Sequence, residues 1–390
     1  MDRGKKPKLI RAATVAMSLD TFCRGLLAEL SADYEVVALS SPAPVLDELG
    51  EREGVRTVAI PMARQISPLA DMRSLWRLYR AMRREKPDIV HSMTPKAGLL
   101  CMTAAWLARV PRRVHTFTGL IFPTSTGVRR RLLMLTDRIT CACATHVIPE
   151  GEGVRADLTA AAITRKPMRV LGHGNVRGID LQHFRRTDSV EKQAHDIRRG
   201  LALQPGDTVF VFIGRLVADK GIRELSEAFL SLPGTPHLIL VGEAEPELDP
   251  LDNTTQDRID ACPRIHTVGL QSDVRPWLAA ADALVLPSYR EGFPNVVIEA
   301  GAMGLPCIVT DINGSREIIS DGHNGIIVPT HDALSLARAM DRLATDKSMR
   351  EQMAANARPG IETRFEQGYV RGCLKQFYRE IITPSCTENT

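Results

Sequence analysis

Aromatic residues are scarce in this sequence, at 5% of its 390 positions, and long apolar runs are missing. With so few aromatic side chains and no recognition motif, a nucleic-acid-binding protein is not expected. No segment reaches the roughly 20 apolar residues that a membrane-spanning helix needs. The basic start of the chain leads into an apolar run that Arg11 interrupts, so we expect neither a signal peptide nor a membrane anchor.

Cysteine pairs of the kind that bind zinc are also missing. The eight cysteines are spread along the chain without a C-x-x-C pair, and only Cys141 and Cys143 lie close together. Their flanking residues predict a helix, and no second pair completes a tetrahedral site. We therefore expect no metal, and reduced thiols in a cytoplasmic protein.

Charge is divided unevenly between the two halves. Residues 1–190 carry 30 Lys and Arg against 18 Asp and Glu, a charge of +12, whereas the remaining residues carry 20 against 28, a charge of −8. The length also exceeds the roughly 250 to 300 residues at which a single core stops growing. We expect two domains, 1–185 and 186–365, followed by a crossover helix at 366–382 and a tail at 383–390.

Short β-rich runs alternate with amphipathic stretches, which indicates parallel sheets flanked by helices. Predicted strands in the first half are residues 9–15, 34–39, 56–60, 88–91, 113–116, 145–148 and 169–171. Those in the second half are residues 208–213, 237–241, 264–267, 283–286, 307–310 and 325–328. A polar, glycine-containing linker is predicted at 172–207. The fold class is therefore α/β, with two facing, doubly wound, Rossmann-like domains. Ligands of such domains bind beyond the carboxyl ends of the strands.

The most informative segment is residues 286–300, where an apolar strand leads into a polar turn and a helix start. Gly292 and Pro294 are predicted to open that helix, whose free N–H groups can bind phosphate or sugar hydroxyls. Glu291 and Glu299 are eight residues apart, so both carboxylates can point toward one elongated ligand. Taken alone, such a pair is more often two solvated side chains.

The surrounding pattern resembles the donor-site signature of glycosyltransferase family 4, retaining enzymes of the GT-B fold. The residues that carry the resemblance within 287–309 are Glu291, Gly292, Phe293, Pro294, Glu299, Ala300, Gly304, Pro306 and Val309. It continues through residues 214–221, 241–242, 314–317 and 321–325, in the same order as in the family. The family fold implies that the C-terminal helix packs back on the first domain.

The resemblance implies a role for each donor-site residue. Glu291 would contact the donor sugar and Glu299 the ribose hydroxyls, while backbone groups of 292–295, including Asn295, cradle the sugar and the distal phosphate. Arg215 and Lys220 follow a strongly apolar strand, and we expect them to neutralise the leaving diphosphate in place of a metal. The absence of a D-x-D motif fits this metal-independent chemistry, and no cofactor is expected. Pocket shape around Gly242 and Leu270 would select the sugar and the base.

Residues at strand ends in the first half are candidates for the acceptor side. His115 resembles the family histidine that lines the acceptor pocket and touches the donor sugar, and we favour it over His91. Lys96 is predicted in the first turn of a helix, where it can meet an acceptor phosphate. Many relatives have a glycine-rich turn after the first strand, whereas this chain has residues 15–20, in which Ser18 is the candidate for the phosphate contact.

Two predicted helices of the first half, near 72–85 and 128–142, are rich in arginine. With a whole half at +12, we expect them to attract an anionic membrane surface or a phosphorylated acceptor. Residues 94–98 also resemble a subgroup that transfers sugars onto lipid-diphosphate carriers. The expected location is cytoplasmic and peripheral, at the inner face of the plasma membrane.

These observations predict a retaining glycosyltransferase that moves a hexose or N-acetylhexosamine from a nucleotide sugar, UDP-linked in our interpretation, to a lipid-diphosphate-linked saccharide. Two alternatives remain open: a nucleotide-sugar epimerase, which needs no acceptor, and a non-catalytic nucleotide-sugar sensor. A dehydrogenase is disfavoured because neither half has a three-glycine fingerprint after its first strand.

Overall fold

The computed structural model describes residues 6–63, 67–245 and 249–383. The chain forms two compact units. One comprises residues 1–178 together with the C-terminal segment 368–390, and the other is the continuous segment 179–367. The first unit is therefore completed by residues that follow the second unit in sequence.

The first unit contains a six-stranded parallel sheet in the order β3-β2-β1-β4-β5-β6. Its strands are β1 (Lys8–Ala12), β2 (Glu35–Ser40), β3 (Arg56–Ala59), β4 (Ile89–Met93), β5 (Arg112–Phe117) and β6 (His146–Pro149). Its helices are α1 (Ala16–Cys23), α2 (Leu26–Leu30), α3 (Pro44–Glu53), α4 (Pro68–Glu85), α5 (Pro95–Leu107), α6 (Gly127–Cys143), α7 (Glu152–Ala160) and, at the end of the chain, α16 (Gln367–Ile382).

The two faces of this sheet carry separate cores, because successive residues of a strand point to opposite sides. Ile10 and Val90 belong to the core beneath α4, α5 and α6. Leu9 and Ile89, one position earlier in each strand, belong to the core beneath α1, α2, α3 and α16. Helices α4 to α6 thus form one layer, and α16 lies on the opposite face. The C-terminal helix packs on the first unit, as predicted.

The second unit repeats the architecture, with strand order β12-β11-β10-β7-β8-β9, all parallel. Its strands are β7 (Val209–Ile213), β8 (His237–Val241), β9 (Ile265–Thr267), β10 (Ala283–Leu286), β11 (Cys307–Thr310) and β12 (Gly325–Val328). Its helices are α8 (Asp188–Gly200), α9 (Ile222–Leu230), α10 (Asn253–Ala261), α11 (Arg275–Ala280), α12 (Asn295–Ala302), α13 (Ser315–Ile318), α14 (Ala333–Thr345) and α15 (Lys347–Phe365). Continuous apolar runs such as that of β7 fit strands covered by helices on both faces.

Two local predictions are wrong. Residues 169–171 do not form a strand; next to them, Met168 makes a single bridge to Val147, because the segment pairs with edge strand β6 at one point only. The predicted linker contains α8, whose first turn is capped by the Thr187 side chain accepting from the Val190 N–H. The predicted tail lies outside the described residues except for Thr383.

Candidate functional site

The loop after β7 and the loop after β10 meet through a glycine. Gly221 has a φ of +69°, and a Cβ at this position would lie 2.2 Å from the Pro287 carbonyl oxygen. Only glycine can combine this left-handed backbone with so close an approach. The contact brings residues 218–220, a short 3-10 turn, beside residues 287–291.

Two ion pairs join these loops in reciprocal order. The Lys220 ammonium lies 2.5 Å from a Glu291 carboxylate oxygen, and both side chains are 16% exposed. One residue earlier in each loop, Arg290 donates to Asp219 at 2.7 Å. An Asp-Lys pair thus faces an Arg-Glu pair, so each loop supplies one charge of each sign. Sequence reasoning named Lys220 and Glu291 but missed their neighbours, although the inverted order of acid and base in the two dipeptides was a visible signal.

A backbone bond and a second side-chain contact fix the turn that carries Glu291. The Tyr289 N–H donates to the Asp219 carbonyl at 2.9 Å. The Tyr289 hydroxyl donates to Glu224 of α9, and its ring packs on His331 with centroids 3.7 Å apart. Burial and the nearby Glu224 carboxylate both raise the pKa of Tyr289, so this hydroxyl keeps its proton at neutral pH.

A pocket lies at the carboxyl ends of β7 and β8, with about 730 Å³ of empty space that is partly open to solvent. It brings together three predicted donor residues, Arg215, Gly242 and Leu270, although Lys220 and Glu291 are not among its lining residues. A Cβ on Gly242 would lie 1.8 Å from the Gly214 carbonyl oxygen, so the two strand-end loops approach through glycine. Arg215 is paired with Glu245 at 2.6 Å, a partner that the sequence did not point to.

Helix α12 begins at Asn295, with Pro294 in extended backbone at the N-cap position. The predicted helix start near Gly292 is therefore three residues early. Glu299 lies in the helix, whereas Glu291 lies in the loop before it. Phe293 is buried and packs edge-to-face on Phe365, so only its backbone can meet a ligand.

Polar groups without partners surround this helix start. Within the part of the chain that the structure describes, the hydroxyls of Ser288 and Ser315 and one oxygen of Asp219 are buried and make no hydrogen bond. Asp219 and Ser288 belong to the loops after β7 and β10, and Ser315 is the first residue of α13, which follows β11. Buried polar atoms of this kind are costly unless a ligand or water satisfies them.

In the first unit, His115 lies under the start of α5. It is 1% exposed, its Nδ1 lies 2.8 Å from the Ser92 hydroxyl, and its ring packs edge-to-face on Phe117. A Cβ on Gly98 would lie 2.4 Å from His115 Cε1. Helix α5 can therefore lie this close to the His115 ring only because residue 98 is glycine. Burial lowers the pKa of His115 to about 3, and the ring is neutral at physiological pH.

His91 lies on the other face of the sheet, in a buried network. Its Nδ1 lies 2.6 Å from both the Arg11 guanidinium and the Tyr378 hydroxyl, and its Nε2 lies 2.7 Å from Thr116. Burial, and then the positive charge of Arg11, hold the pKa of His91 well below its ordinary value. The network links β1, β4, β5 and α16 through hydrogen bonds of His91 and Arg11.

The two remaining candidates of the first unit differ in their surroundings. Lys96 is paired with Asp71 of α4 at 2.8 Å and is 12% exposed. Ser18 is half-buried in the first turn of α1, which begins three residues after β1 ends. Among the described residues, no cluster of three or more His, Cys, Asp or Glu could hold a metal ion.

Comparison with known proteins gives matches over both halves. Residues 19–174 match the glycosyl transferase 4-like domain, and residues 207–346 match the model for glycosyl transferases group 1. An Escherichia coli UDP-Gal:alpha-D-GlcNAc-diphosphoundecaprenol alpha-1,3-galactosyltransferase is 30% identical over 347 residues, 87% of each chain. The chain belongs to the group 1, family-4-like glycosyltransferases.

Two further relatives extend the comparison over nearly the whole chain. The capsular polysaccharide biosynthesis glycosyltransferase CapM of Staphylococcus aureus is 29% identical over 387 residues, 98% of this chain and 99% of CapM. The crystal structure of Anabaena HepE in complex with UDP-glucose superposes with a TM-score of 0.78 at 18% identity, covering 95% of this chain and 99% of HepE. The fold is GT-B, and the protein is a glycosyltransferase of bacterial polysaccharide biosynthesis.

Among the described residues, no helix is both long enough and apolar enough to cross a membrane.

Proposed function

We propose that the protein is a retaining glycosyltransferase that moves a hexose or N-acetylhexosamine from a UDP-sugar to a lipid-diphosphate-linked saccharide. The Lys220–Glu291 pair, held beside a glycine-lined strand end that carries Arg215, is the observation that carries this proposal. The E. coli relative, by its name, uses UDP-Gal and a diphosphoundecaprenol-linked acceptor, and HepE was solved with UDP-glucose. Both names support the same donor and acceptor class here.

Arg215 and Lys220 are proposed to receive the leaving diphosphate. Both cations form ion pairs with carboxylates, so a diphosphate would compete with Glu245 for Arg215 and with Glu291 for Lys220. Negative charge on the diphosphate grows as the glycosidic bond breaks, and fixed cations stabilise that state more than the ground state. This arrangement needs no metal ion.

The sugar and the ribose are assigned to the segment after β10. Glu291, partly freed from Lys220, would hold a sugar hydroxyl, and Glu299 the ribose. The N–H groups of Gly292, Phe293 and Asn295 lie at the start of α12, where the helix dipole favours an anion. We further assign Gly242 and Leu270 to the base, Ser18 to the phosphate side, and His115 to the acceptor side, with Lys96 and His91 as weaker candidates there.

The transfer step is proposed to proceed on one face of the sugar. The bond from C1 to the departing phosphate oxygen breaks, a bond from C1 to the acceptor oxygen forms on the same face, and the acceptor proton passes to the departing phosphate. His115 is neutral and buried, so in this scheme it positions a sugar and does not accept the proton.

The layer of α4, α5 and α6 is proposed to meet an anionic membrane surface at the cytoplasmic face. Of the 14 large apolar side chains that are exposed in the described residues, nine lie on these three helices. They are Leu69, Met72, Trp76, Trp106, Leu107, Val128, Leu132, Leu135 and Ile139. Nine arginines of α4 and α6 are exposed as well, whereas none of the three acidic residues on α4 to α6 is. Exposed apolar side chains among cations favour the interface of an anionic bilayer.

The donor assignment is tested by thermal unfolding with UDP, GDP and ADP. We expect UDP to raise the midpoint most, and Lys220→Ala to weaken UDP binding about tenfold or more, since a charge-assisted hydrogen bond to phosphate is lost. Lys192→Ala is the matched control, because Lys192 is an exposed lysine on α8 of the same unit. Equal UDP affinity in both variants would remove Lys220 from the site.

Turnover separates the proposed transferase from the two alternatives. A UDP-sugar is incubated with and without a short-chain GlcNAc-diphospholipid, in the presence of EDTA. The proposal expects UDP release only with the acceptor, and a product with the anomeric configuration of the donor by NMR. An altered sugar without acceptor would indicate an epimerase, and tight UDP binding without any turnover a sensor.

A further inference from the structure

An open pocket lies beside α4 in the first unit, and its lining includes none of the residues named in the donor and acceptor assignments above. It stands at the carboxyl ends of β2 and β3 and holds about 840 Å³ of empty space, part of it open to solvent. Its walls are apolar, formed by Pro42, Pro61, Met62 and Ala70 among others. Arg73 and Arg77 are the charged residues that line it.

The frame of this pocket is held by hydrogen bonds that use its hydroxyl groups. The Ser41 hydroxyl donates to the Thr14 carbonyl at 2.7 Å and accepts from the Met62 N–H at 2.9 Å. The Ser74 hydroxyl donates to the Pro61 carbonyl at 2.6 Å. The strand-end loops and α4 are thereby tied together, and among the described lining residues the guanidinium groups of Arg73 and Arg77 are the charged groups available to a ligand.

Arg73 and Arg77 are four residues apart on α4, so their side chains lie one turn apart on the same side of the helix. Both are exposed, and neither forms an ion pair within residues 6–63, 67–245 and 249–383. The carboxylates of α4 are already engaged: Asp71 with Lys96 at 2.8 Å and Glu85 with Arg56 at 2.5 Å. Two uncompensated positive charges therefore line an apolar pocket.

We propose that this pocket binds the diphosphate of a lipid-linked molecule, with Arg73 and Arg77 holding the phosphates. Guanidinium groups one turn apart match two adjacent phosphates, each of which can accept paired N–H donors. The apolar walls, and the exposed Leu69 and Trp76 of the same helix, suit the first carbons of the lipid. The proposal rests on the proposed acceptor class. It assigns the diphosphate of the acceptor to α4, and Lys96 remains paired with Asp71.

The test is calorimetric titration of the full-length protein with farnesyl diphosphate below its micelle concentration. We expect saturable binding that Arg73→Gln with Arg77→Gln weakens about tenfold or more, and that the double Lys variant retains in part. Arg83→Gln with Arg84→Gln is the matched control, with the same charge change on the same helix outside the pocket, and it should leave the affinity unchanged. Farnesol and inorganic pyrophosphate should each bind more weakly than farnesyl diphosphate.

Several results would overturn the proposal. Equal loss in the two double Gln variants would mean that general positive charge, not this pocket, attracts the ligand. Equal affinity for short-chain phosphatidylglycerol would mean that any lipid phosphate suffices. The UDP response, measured on every variant, keeps the two proposals apart. If the unsubstituted protein binds UDP but not farnesyl diphosphate, the pocket proposal is contradicted, whereas binding of farnesyl diphosphate without UDP contradicts the donor site.

Discussion

Reciprocal charge pairing is the residue-scale feature that most constrains the donor site. Asp219 and Lys220 lie on one loop, Arg290 and Glu291 on the other, and each acid meets the base across from it. In the proposed function a diphosphate would separate Lys220 from Glu291, but the Asp219–Arg290 pair behind them can persist. We infer that Asp219 and Arg290 keep the loops in register while their neighbours exchange partners.

This inference predicts that Asp219→Asn weakens UDP binding by a few fold while lowering the thermal midpoint little, because a partly exposed pair contributes about 1 kcal/mol or less to stability. Exchanging the charges, Asp219→Arg with Arg290→Asp, should recover part of the affinity. Asp196→Asn, which breaks an exposed Asp196–Arg199 pair on α8, is the control. An exchange variant no better than the single variant would show that the pairing itself is unimportant.

Buried residues of the first unit show where sequence reasoning stops. In the sequence, Arg11 interrupts an apolar run and argues against a signal peptide. In the structure, its guanidinium is buried and donates to the Tyr378 hydroxyl at 2.7 Å. The two residues are 367 positions apart. No local pattern predicts such a partner, since only the tertiary fold brings the last helix onto the first strand.

At the scale of elements, twelve of the thirteen predicted strands exist, because an apolar run between helical stretches is a strong local signal. Helix α8 was missed although Val190, Ala194 and Ile197 repeat at helical spacing. Because most residues of this helix are polar or charged, the sequence pattern indicates a linker there. The position of Arg215 after a strand end was predictable from the apolar run of β7, but its pairing with Glu245 depends on a contact between distant parts of the sequence.

Helix α6 gives the element-scale prediction. Val128, Leu132, Leu135 and Ile139 form an exposed stripe at helical spacing, and burial raises the pKa of Asp137, the one carboxylate of α6, to about 7. Leu132→Gln with Leu135→Gln should lower cosedimentation with phosphatidylglycerol vesicles about tenfold. The reason is that the variant loses two leucine side chains that would insert into the bilayer.

The control for this experiment is Leu334→Gln, which changes a leucine that is 62% exposed on α14 of the second unit. Binding should also fall as salt is added, because the arginines of α4 and α6 act through screened charge. Undiminished sedimentation of the α6 variant, or equal binding to neutral phosphatidylcholine vesicles, would contradict docking through this helix layer.

For the whole molecule, the path of the chain makes the two units unequal. The second unit is one continuous segment with its own core, and the proposed donor residues, apart from Ser18, lie within it. The first unit needs α16, which buries Val370, Leu374, Phe377 and Tyr378. At about 2 kcal/mol for each buried side chain, the loss approaches 8 kcal/mol, within the roughly 5–15 kcal/mol that stabilises a whole domain.

Truncation after Gln367 should therefore unfold or aggregate the first unit, because it uncovers the core beneath α16 and removes Tyr378, the hydrogen-bond partner of Arg11 and His91. The isolated segment 179–367 should remain folded and bind UDP, because Arg215, Lys220, Glu291 and Glu299 are all retained. Circular dichroism melting and UDP titration of both shortened proteins measure these outcomes. A truncated chain that melts like the full-length protein would show that α16 contributes little, and a segment 179–367 that fails to bind UDP would show that the donor site is incomplete without the first unit.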